Sequence, residues 1–200
     1  GKRFRVHVPG RFNAANALCA IACARLLDIS DDAAAAGLDA AVRVPGRMEH
    51  VRGGDVDVVV DYSHTPDSLE NALAALREST AAGRSVVFGC GGDRDRGKRP
   101  LMGEIAARLA DRIYVTSDNP RTEDPQAILR EIVAGMGDRE RVVEADRRSA
   151  IVRAVLEAGA GDTVLVAGKG HETYQIVGDR VLPFDDAAVA REALALRGAR

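Results

Sequence analysis

Nine residues, Ser117 to Pro125 (S-D-N-P-R-T-E-D-P), put an acid, an amide and a guanidinium on one short turn directly after the apolar run Ile113-Tyr114-Val115. Pro120 removes a backbone donor and restricts Asn119, so Asp118, Asn119 and Arg121 are held rather than left to sample solvent. Arg121 can grip a carboxylate with two parallel N–H bonds, which a lysine cannot do. A second loop, Gly168-Lys169-Gly170-His171-Glu172, follows Val164-Leu165-Val166-Ala167. It reads either as a glycine turn with exposed charges or as a ligand loop in which Glu172 accepts from an ammonium group and Lys169 or His171 faces phosphate.

A third loop, Gly92 to Arg99, matches G-x-x-x-x-G-K but carries Arg99 where a phosphate-binding loop needs Ser or Thr to ligate magnesium. Four charged residues inside it also oppose a bare backbone cradle. It is then a solvated charge run or, the preferred reading, a turn at Gly89, Gly91 and Gly92 that points Arg94 inward as a carboxylate ligand. Together Arg94, Asn119, Arg121 and Glu172 describe a pocket with two carboxylate grips and one ammonium acceptor. Its natural guest is an amino acid with more than one charged end. His64 alone reads as a structural histidine. Yet Asp61-Tyr62-Ser63-His64 precedes a helix start, where an anion or ribose docks. Arg47, after Pro45-Gly46, reads equally as a surface charge or a phosphate contact.

These loops need a scaffold, and the hydrophobic pattern supplies one. Strands are expected at Val56 to Val60, Val86 to Phe88, Ile113 to Thr116, Arg141 to Glu144 and Asp162 to Ala167. Helices are expected from Thr65-Pro66 through Arg77, from Pro100 through Ala110, from Asp124-Pro125, from Arg148 to Ala158 and from Asp186 to Arg197. Tyr174 to Phe184 predicts a hairpin turning at Gly178-Asp179. The alternation implies an α/β, Rossmann-like, mostly parallel sheet with helices on both faces. Such sheets bind ligands beyond the carboxyl ends of their strands, so the four loops should share one edge. Before this region, Phe4 to Val8 alternates like a strand. Asn13 to Leu27 predicts a helix buried on most faces, a short acidic helix runs from Asp31 to Ala36, and Val44-Pro45-Gly46-Arg47 marks a domain boundary.

The composition bounds the possibilities further. A net charge of −2 with interspersed signs and 4% aromatics excludes a nucleic-acid surface, which clusters Lys/Arg with stacking platforms. Cys19, Cys23 and Cys90 form no metal-type pair and read as reduced, buried thiols of a cytoplasmic protein. No apolar stretch reaches ~18 residues, so no membrane association is expected. The chain opens on Gly1 without Met, which reads as a fragment of a longer chain.

The ordered set G-R-F-N-A-A-N (10 to 16), G-R-M-E-H (46 to 50), D-Y-S-H-T-P-D (61 to 67), G-C-G-G-D-R-D-R-G-K-R-P (89 to 100), D-N-P-R (118 to 121) and G-K-G-H-E (168 to 172) resembles the Mur ligase family, the ATP-dependent amino-acid ligases of peptidoglycan synthesis. In that family D-N-P-R marks the members that add meso-2,6-diaminopimelate to UDP-N-acetylmuramoyl-L-alanyl-D-glutamate, and lysine-adding relatives differ at the arginine. The resemblance implies that Arg94, Asp118, Asn119, Pro120, Arg121, Gly168 and Glu172 bind diaminopimelate. It further implies that Asn13, Asn16, Arg47, Asp61 and His64 lie near ATP, with Arg47 in a catalytic role.

It implies an acyl phosphate formed with ATP and magnesium (Mg2+), the metal held mainly upstream of this sequence. It also implies a cytoplasmic monomer with a role in cell-wall biogenesis and division. On this reading residues 1–44 are the end of the central ATP-binding domain and 45–200 the C-terminal domain. The family's UDP-binding domain, Walker-type loop and carbamylated lysine have no counterpart in these 200 residues, which are therefore expected to be inactive alone. The alternatives are a non-catalytic amino-acid-binding module and a ligase like folylpolyglutamate synthetase.

Overall fold

The computed structural model describes residues 3–7, 10–40, 44–80 and 82–199. The chain divides into two compact units, Gly1–Val44 and Pro45–Arg200. In the smaller unit, helix α1 (Arg11–Leu26) leads through a turn at Asp28 into α2 (Asp31–Asp39). Ser30 caps α2 by accepting from the Ala33 N–H at 3.2 Å, and Arg25 closes the corner with bonds of 2.8 and 2.9 Å to Asp31. The expected burial of α1 is corrected, since only Ala17 and Ile21 are buried. Leu18, Leu26 and Leu27 stand exposed, because within this unit α1 packs against one short helix. Cys19 and Cys23 are exposed with it, and of the three thiols only Cys90 is buried. Residues 3–7 form no strand, so the described part of the alternation is unpaired, and Val8 lies outside the described residues. Such a pattern becomes a strand only where a neighbour offers a ladder of hydrogen bonds.

The larger unit is built on β1 (Glu49–Val51), β2 (Asp57–Asp61), β3 (Arg84–Phe88), β4 (Arg112–Val115), β5 (Val142–Val143) and β6 (Thr163–Ala167). They form one sheet in the order β1-β2-β6-β3-β4-β5, in which β1 pairs antiparallel with β2 and every other pairing is parallel. The expected parallel sheet with helices on both faces is therefore the observed fold.

Five helices connect or close it: α3 (Pro66–Ser79), α4 (Lys98–Leu109), α5 (Pro125–Val133), α6 (Arg147–Glu157) and α7 (Asp186–Gly198). Thr65 and Ser68 form a reciprocal capping box on α3, and the side chains of Asp124, Asp146 and Asp185 cap α5, α6 and α7. Helix α4 starts two residues before Pro100, because a proline's missing donor costs nothing in a helix's first turn. Edge strand β1 escapes the sequence pattern because three residues, only one of them apolar and buried, carry no periodicity.

Alternation along the strands divides the core between two faces. Val58, Val60, Val87, Tyr114, Val164 and Val166 pack with α6 and α7. Val59, Val86, Phe88, Val115 and Leu165 point the other way, where α3 contacts β6 and α5 contacts β4. The expected hairpin is β7 (Tyr174–Val177) and β8 (Arg180–Pro183), a separate two-stranded sheet turning at Gly178-Asp179.

The parallel register aligns the strand ends, with Asp61 beside Ala167 and Phe88 beside Val115, so the four ligand loops do emerge at one edge. Two fully buried arginines tie that edge together. Arg147, first residue of α6, binds Asp186 of α7 through Nε–Oδ1 (2.8 Å) and Nη2–Oδ2 (2.7 Å). It also donates to the carbonyls of Ala167 (3.0 Å) and Ser117 (3.4 Å), at the ends of β6 and β4. Arg99, which stands where a phosphate-binding loop needs Ser or Thr, is fully buried. Its Nη1 and Nη2 grip Glu123 at 2.9 and 2.8 Å, and it donates to Glu131 (2.8 Å) and to the Gly91 carbonyl (3.2 Å).

Two expectations follow from these ties. Arg147→Met leaves the Asp186 carboxylate buried without its partner, so the unfolding free energy read from urea denaturation should fall by about 3–5 kcal/mol. Arg147→Met with Asp186→Leu should recover part of this, but not the two carbonyls' lost donor. The Arg99 guanidinium, helped by the Asp93 N–H, holds the Glu123 carboxyl down to about 2. A carboxyl lowered in the folded state adds stability that is complete above its unfolded value, near 4.3, and is lost as pH falls through about 2. The urea midpoint should therefore drop across that acid window, and Glu123→Gln should flatten the drop. Glu131 and Glu157 shift in the same direction and keep some slope.

Candidate functional site

The segment 118–121 sits beyond β4 and is almost wholly withdrawn from solvent, with Asp118 8% and Asn119 3% exposed and Pro120 buried. Asn119 spends its amide internally. Its Nδ2 donates to Glu172 Oε2 (2.8 Å), and its Oδ1 accepts from Lys169 Nζ and the Ile176 N–H, both at 3.0 Å. Asp118 is the opposite case, since its carboxylate accepts no hydrogen bond from a described residue. Burial pushes its pKa up, against the pull of Arg147 and Lys169. A buried carboxylate without donors is a standing demand for a cation or donor from outside the chain.

Arg121 is half-buried with φ 51°, a left-handed conformation that few non-glycine residues hold. Its Nη1 donates to the carbonyls of Gly92 (2.9 Å) and Asn119 (3.4 Å), and among the described residues it meets no carboxylate. Nε and Nη2, the pair that forms a two-bond fork, carry no hydrogen bond to a described residue. Arg94 stands near it, because a methyl placed on Gly91 would lie 2.9 Å from Arg121 Nη1 and 3.7 Å from Arg94 Cγ. Arg94 is exposed rather than turned inward, and its Nη1 donates to the Asp93 carbonyl at 2.9 Å.

The second loop closes against the first. Gly168 has φ 118°, and a side chain there would meet Asp118 Oδ2 at 2.6 Å, so glycine is required for conformation and for space. Glu172 binds Asn119 and Lys169 (3.3 Å) through Oε2 and leaves Oε1 without a bond to a described residue. Lys169 is fully buried between Asn119 and Glu172, with Nζ 5.6 Å from the Tyr174 ring centre. That removes it as a phosphate contact. His171 stays exposed, its ring 5.3 Å from Tyr62.

A cation–aromatic cluster lies at the end of β2. The Arg47 guanidinium sits 4.7 Å over the Tyr62 ring, and the His64 ring centre is 4.5 Å from Tyr62. His64 Nδ1 bonds the Tyr62 carbonyl at 2.8 Å, which with Nδ1 as donor leaves Nε2 an acceptor. Asp61 is committed within the chain, one carboxylate oxygen accepting from the Met48 N–H (2.8 Å) and the other from the Ser63 hydroxyl. The structure thus gathers Arg47, Asp61 and His64 in one place. Asn13 and Asn16 lie one turn apart on α1 of the smaller unit. Among the described residues no three His, Cys, Asp or Glu side chains gather for a metal ion. No helix among them is long and apolar enough to cross a membrane. Cys90 donates to Met102 Sδ at 3.6 Å, and burial pushes its thiol up to about 12, which removes it as a nucleophile.

Sequence reasoning missed Glu123, Arg147 and Gln175 and gave Arg99 and Lys169 other roles than the ties they form. Lys169 and Glu123 stood inside quoted motifs, where a charge between glycines or after D-N-P-R signals a local tie as well as a ligand. Arg147 and Gln175 carried no local signal, since their partners lie far along the chain.

The family profile described as "Mur ligase, glutamate ligase domain" matches residues 46–170. The Synechococcus elongatus protein named UDP-N-acetylmuramoyl-L-alanyl-D-glutamate--2,6-diaminopimelate ligase is 58% identical over 97% of this chain and 40% of its own length. A solved structure of a protein with the same name superposes with a TM-score of 0.76 at 38% identity, over 98% of this chain and 40% of that one. A Mycobacterium tuberculosis folylpolyglutamate synthase superposes at 0.70 with 22% identity over 96% of this chain and 42% of that one, a likeness of fold alone. The chain spans about 40% of the length of the curated relatives it matches. With the profile covering most of the larger unit and the charged loops gathered at one sheet edge, the chain belongs to the Mur ligase family.

Proposed function

We propose that this chain carries the amino-acid-selecting part of an ATP-dependent ligase. That ligase adds meso-2,6-diaminopimelate to UDP-N-acetylmuramoyl-L-alanyl-D-glutamate for peptidoglycan synthesis, working in the cytoplasm as a monomer. The observation that carries this reading is the set of uncommitted charged atoms on two neighbouring loops: Arg121 Nε and Nη2, the buried Asp118 carboxylate and Glu172 Oε1. An α-amino acid end presents one carboxylate and one ammonium, and these groups match both. Diaminopimelate has two such ends. Holding one by the arginine fork and the acids leaves the other amine to attack.

In the reaction the resemblance implies, the D-glutamate side-chain carboxylate is activated by ATP as an acyl phosphate. The amine nitrogen bonds to the acyl carbon, passes through a tetrahedral intermediate, and phosphate leaves as the amine loses its proton. The residues of this chain orient that amine, which converts an encounter into a positioned attack. Arg47 and His64 supply a cation and an acceptor beside Tyr62 suited to a nucleotide's phosphates and base, and Asn13 and Asn16 are the further contacts proposed for ATP. Among the described residues no three His, Cys, Asp or Glu gather for magnesium, which this reading assigns mainly to residues upstream of this sequence. The reading as a folylpolyglutamate synthetase shares the fold but gives no reason for the D-N-P-R turn.

Titration calorimetry tests the reading. With the reacting α-amino end turned away from the fork, lysine presents to Arg121 an end that has no carboxylate and leaves the fork unmatched, a cost of about 1–3 kcal/mol, so diaminopimelate should bind roughly 10- to 100-fold more tightly than L-lysine. If Arg121 works as a fork, Arg121→Lys should lose nearly as much diaminopimelate affinity as Arg121→Ala. A near-normal lysine variant would mean that only its charge matters. The 200-residue chain by itself should release no phosphate from ATP above a denatured control, since its single P-loop-like stretch ends in the buried Arg99.

A further inference from the structure

The hairpin β7–β8 belongs to no part of the main sheet, and its two strands pair only with each other. Its inner strand nevertheless runs alongside the D-N-P-R turn and forms an isolated parallel bridge between Val177 and Arg121. The Arg121 N–H donates to the Ile176 carbonyl (3.1 Å), and the Arg121 carbonyl accepts from the Gly178 N–H (2.7 Å). Both backbone groups of the one residue with a left-handed conformation in this turn are thus taken by the hairpin. Side chains extend the match. Gln175 Nε2 donates to the Asp118 carbonyl (2.7 Å), and the Ile176 N–H donates to Asn119 Oδ1 (3.0 Å). Conformations of this kind persist only where their surroundings over-determine them, and here the surroundings are the hairpin.

We propose that the β7–β8 hairpin is a specificity element of the ligase: it splints residues 118–121 so that the Arg121 fork points at the amino acid, with Gln175 as its positioning side chain. The inference rests on the reading of Arg121 as a diaminopimelate ligand. Gln175 is half-buried and touches no part of the Arg47–Tyr62–His64 cluster in the contacts described above, so it acts through the Asp118 backbone. The hairpin turns on Gly178 at φ 57°, where a methyl would meet nothing within 4 Å. Gly178→Ala therefore perturbs the backbone of the splint without a clash.

The test uses the ligase at the full length its gene encodes, with initial rates measured against meso-diaminopimelate, L-lysine, ATP and the UDP-linked acceptor. Gln175→Met keeps the volume and removes the donor. It should raise the KM for diaminopimelate about five- to tenfold, in line with one lost hydrogen bond. The kcat and the KM of ATP and of the acceptor should stay near wild type, and selectivity over L-lysine should narrow. Gln175→Lys, which restores a donor, should recover most of the loss, and Gly178→Ala should change KM in the same direction as Gln175→Met. A wild-type enzyme that does not prefer diaminopimelate defeats the functional reading itself. A wild type that prefers it, with Gln175→Met and Gly178→Ala both unchanged in KM and selectivity, overturns the hairpin inference alone. Losses shared equally by all substrates, or tracking a lowered melting temperature without rescue by Gln175→Lys, would make the hairpin merely structural and overturn it as well.

Discussion

Arg147 donates four times from a position with no access to water, twice to the Asp186 carboxylate and once each to the carbonyls of Ala167 and Ser117. Parallel strands end in carbonyls that the ladder no longer pairs, and a ligand edge cannot leave them bare where the chain is buried. A guanidinium satisfies several at once because its donors are fixed in one plane. The charge this brings inside must be matched, and Asp186, capping residue of nothing but first residue of α7, matches it. Arg99 repeats the solution between β3 and α5, with Glu123 and Glu131 as counter-charges. Every group proposed to touch the amino acid hangs from loops that these two arginines hold.

The same economy separates structural charges from those left for a guest. Lys169 and Asn119 occupy one oxygen of Glu172, and Gly92 and Asn119 occupy one nitrogen of Arg121. What remains of each group meets no partner among the described residues. Asp118 completes the contrast, because burial lifts its pKa while neighbouring cations pull against the lift. Its carboxylate meets no hydrogen-bond donor among the described residues, so its burial costs stability.

Much of this was legible in the sequence because the signals were local. Short apolar runs located β2, β3, β4 and β6, and Thr65 and Asp124 opened α3 and α5. The topology rule then placed Asp118, Arg121, Gly168 and Glu172 together. Long-range chemistry was not legible. Nothing beside Arg99 announces burial, since its carboxylates follow D-N-P-R and lie in α5. Arg94 went the other way, out to solvent, where it donates to the Asp93 carbonyl. Helix α1 looked like a core helix from its small residues, but composition does not say how many neighbours an element has.

The Arg147–Asp186 pair also dictates an order of events during synthesis. Ser117, Arg147 and Ala167 leave the ribosome before Asp186 does, so the loops after β4 and β6 are made while the guanidinium that supports them still lacks its counter-charge. Contacts this distant in sequence close late, after the local helices have formed. The Arg147–Asp186 tie is thus completed only after both of the loops it supports have been made.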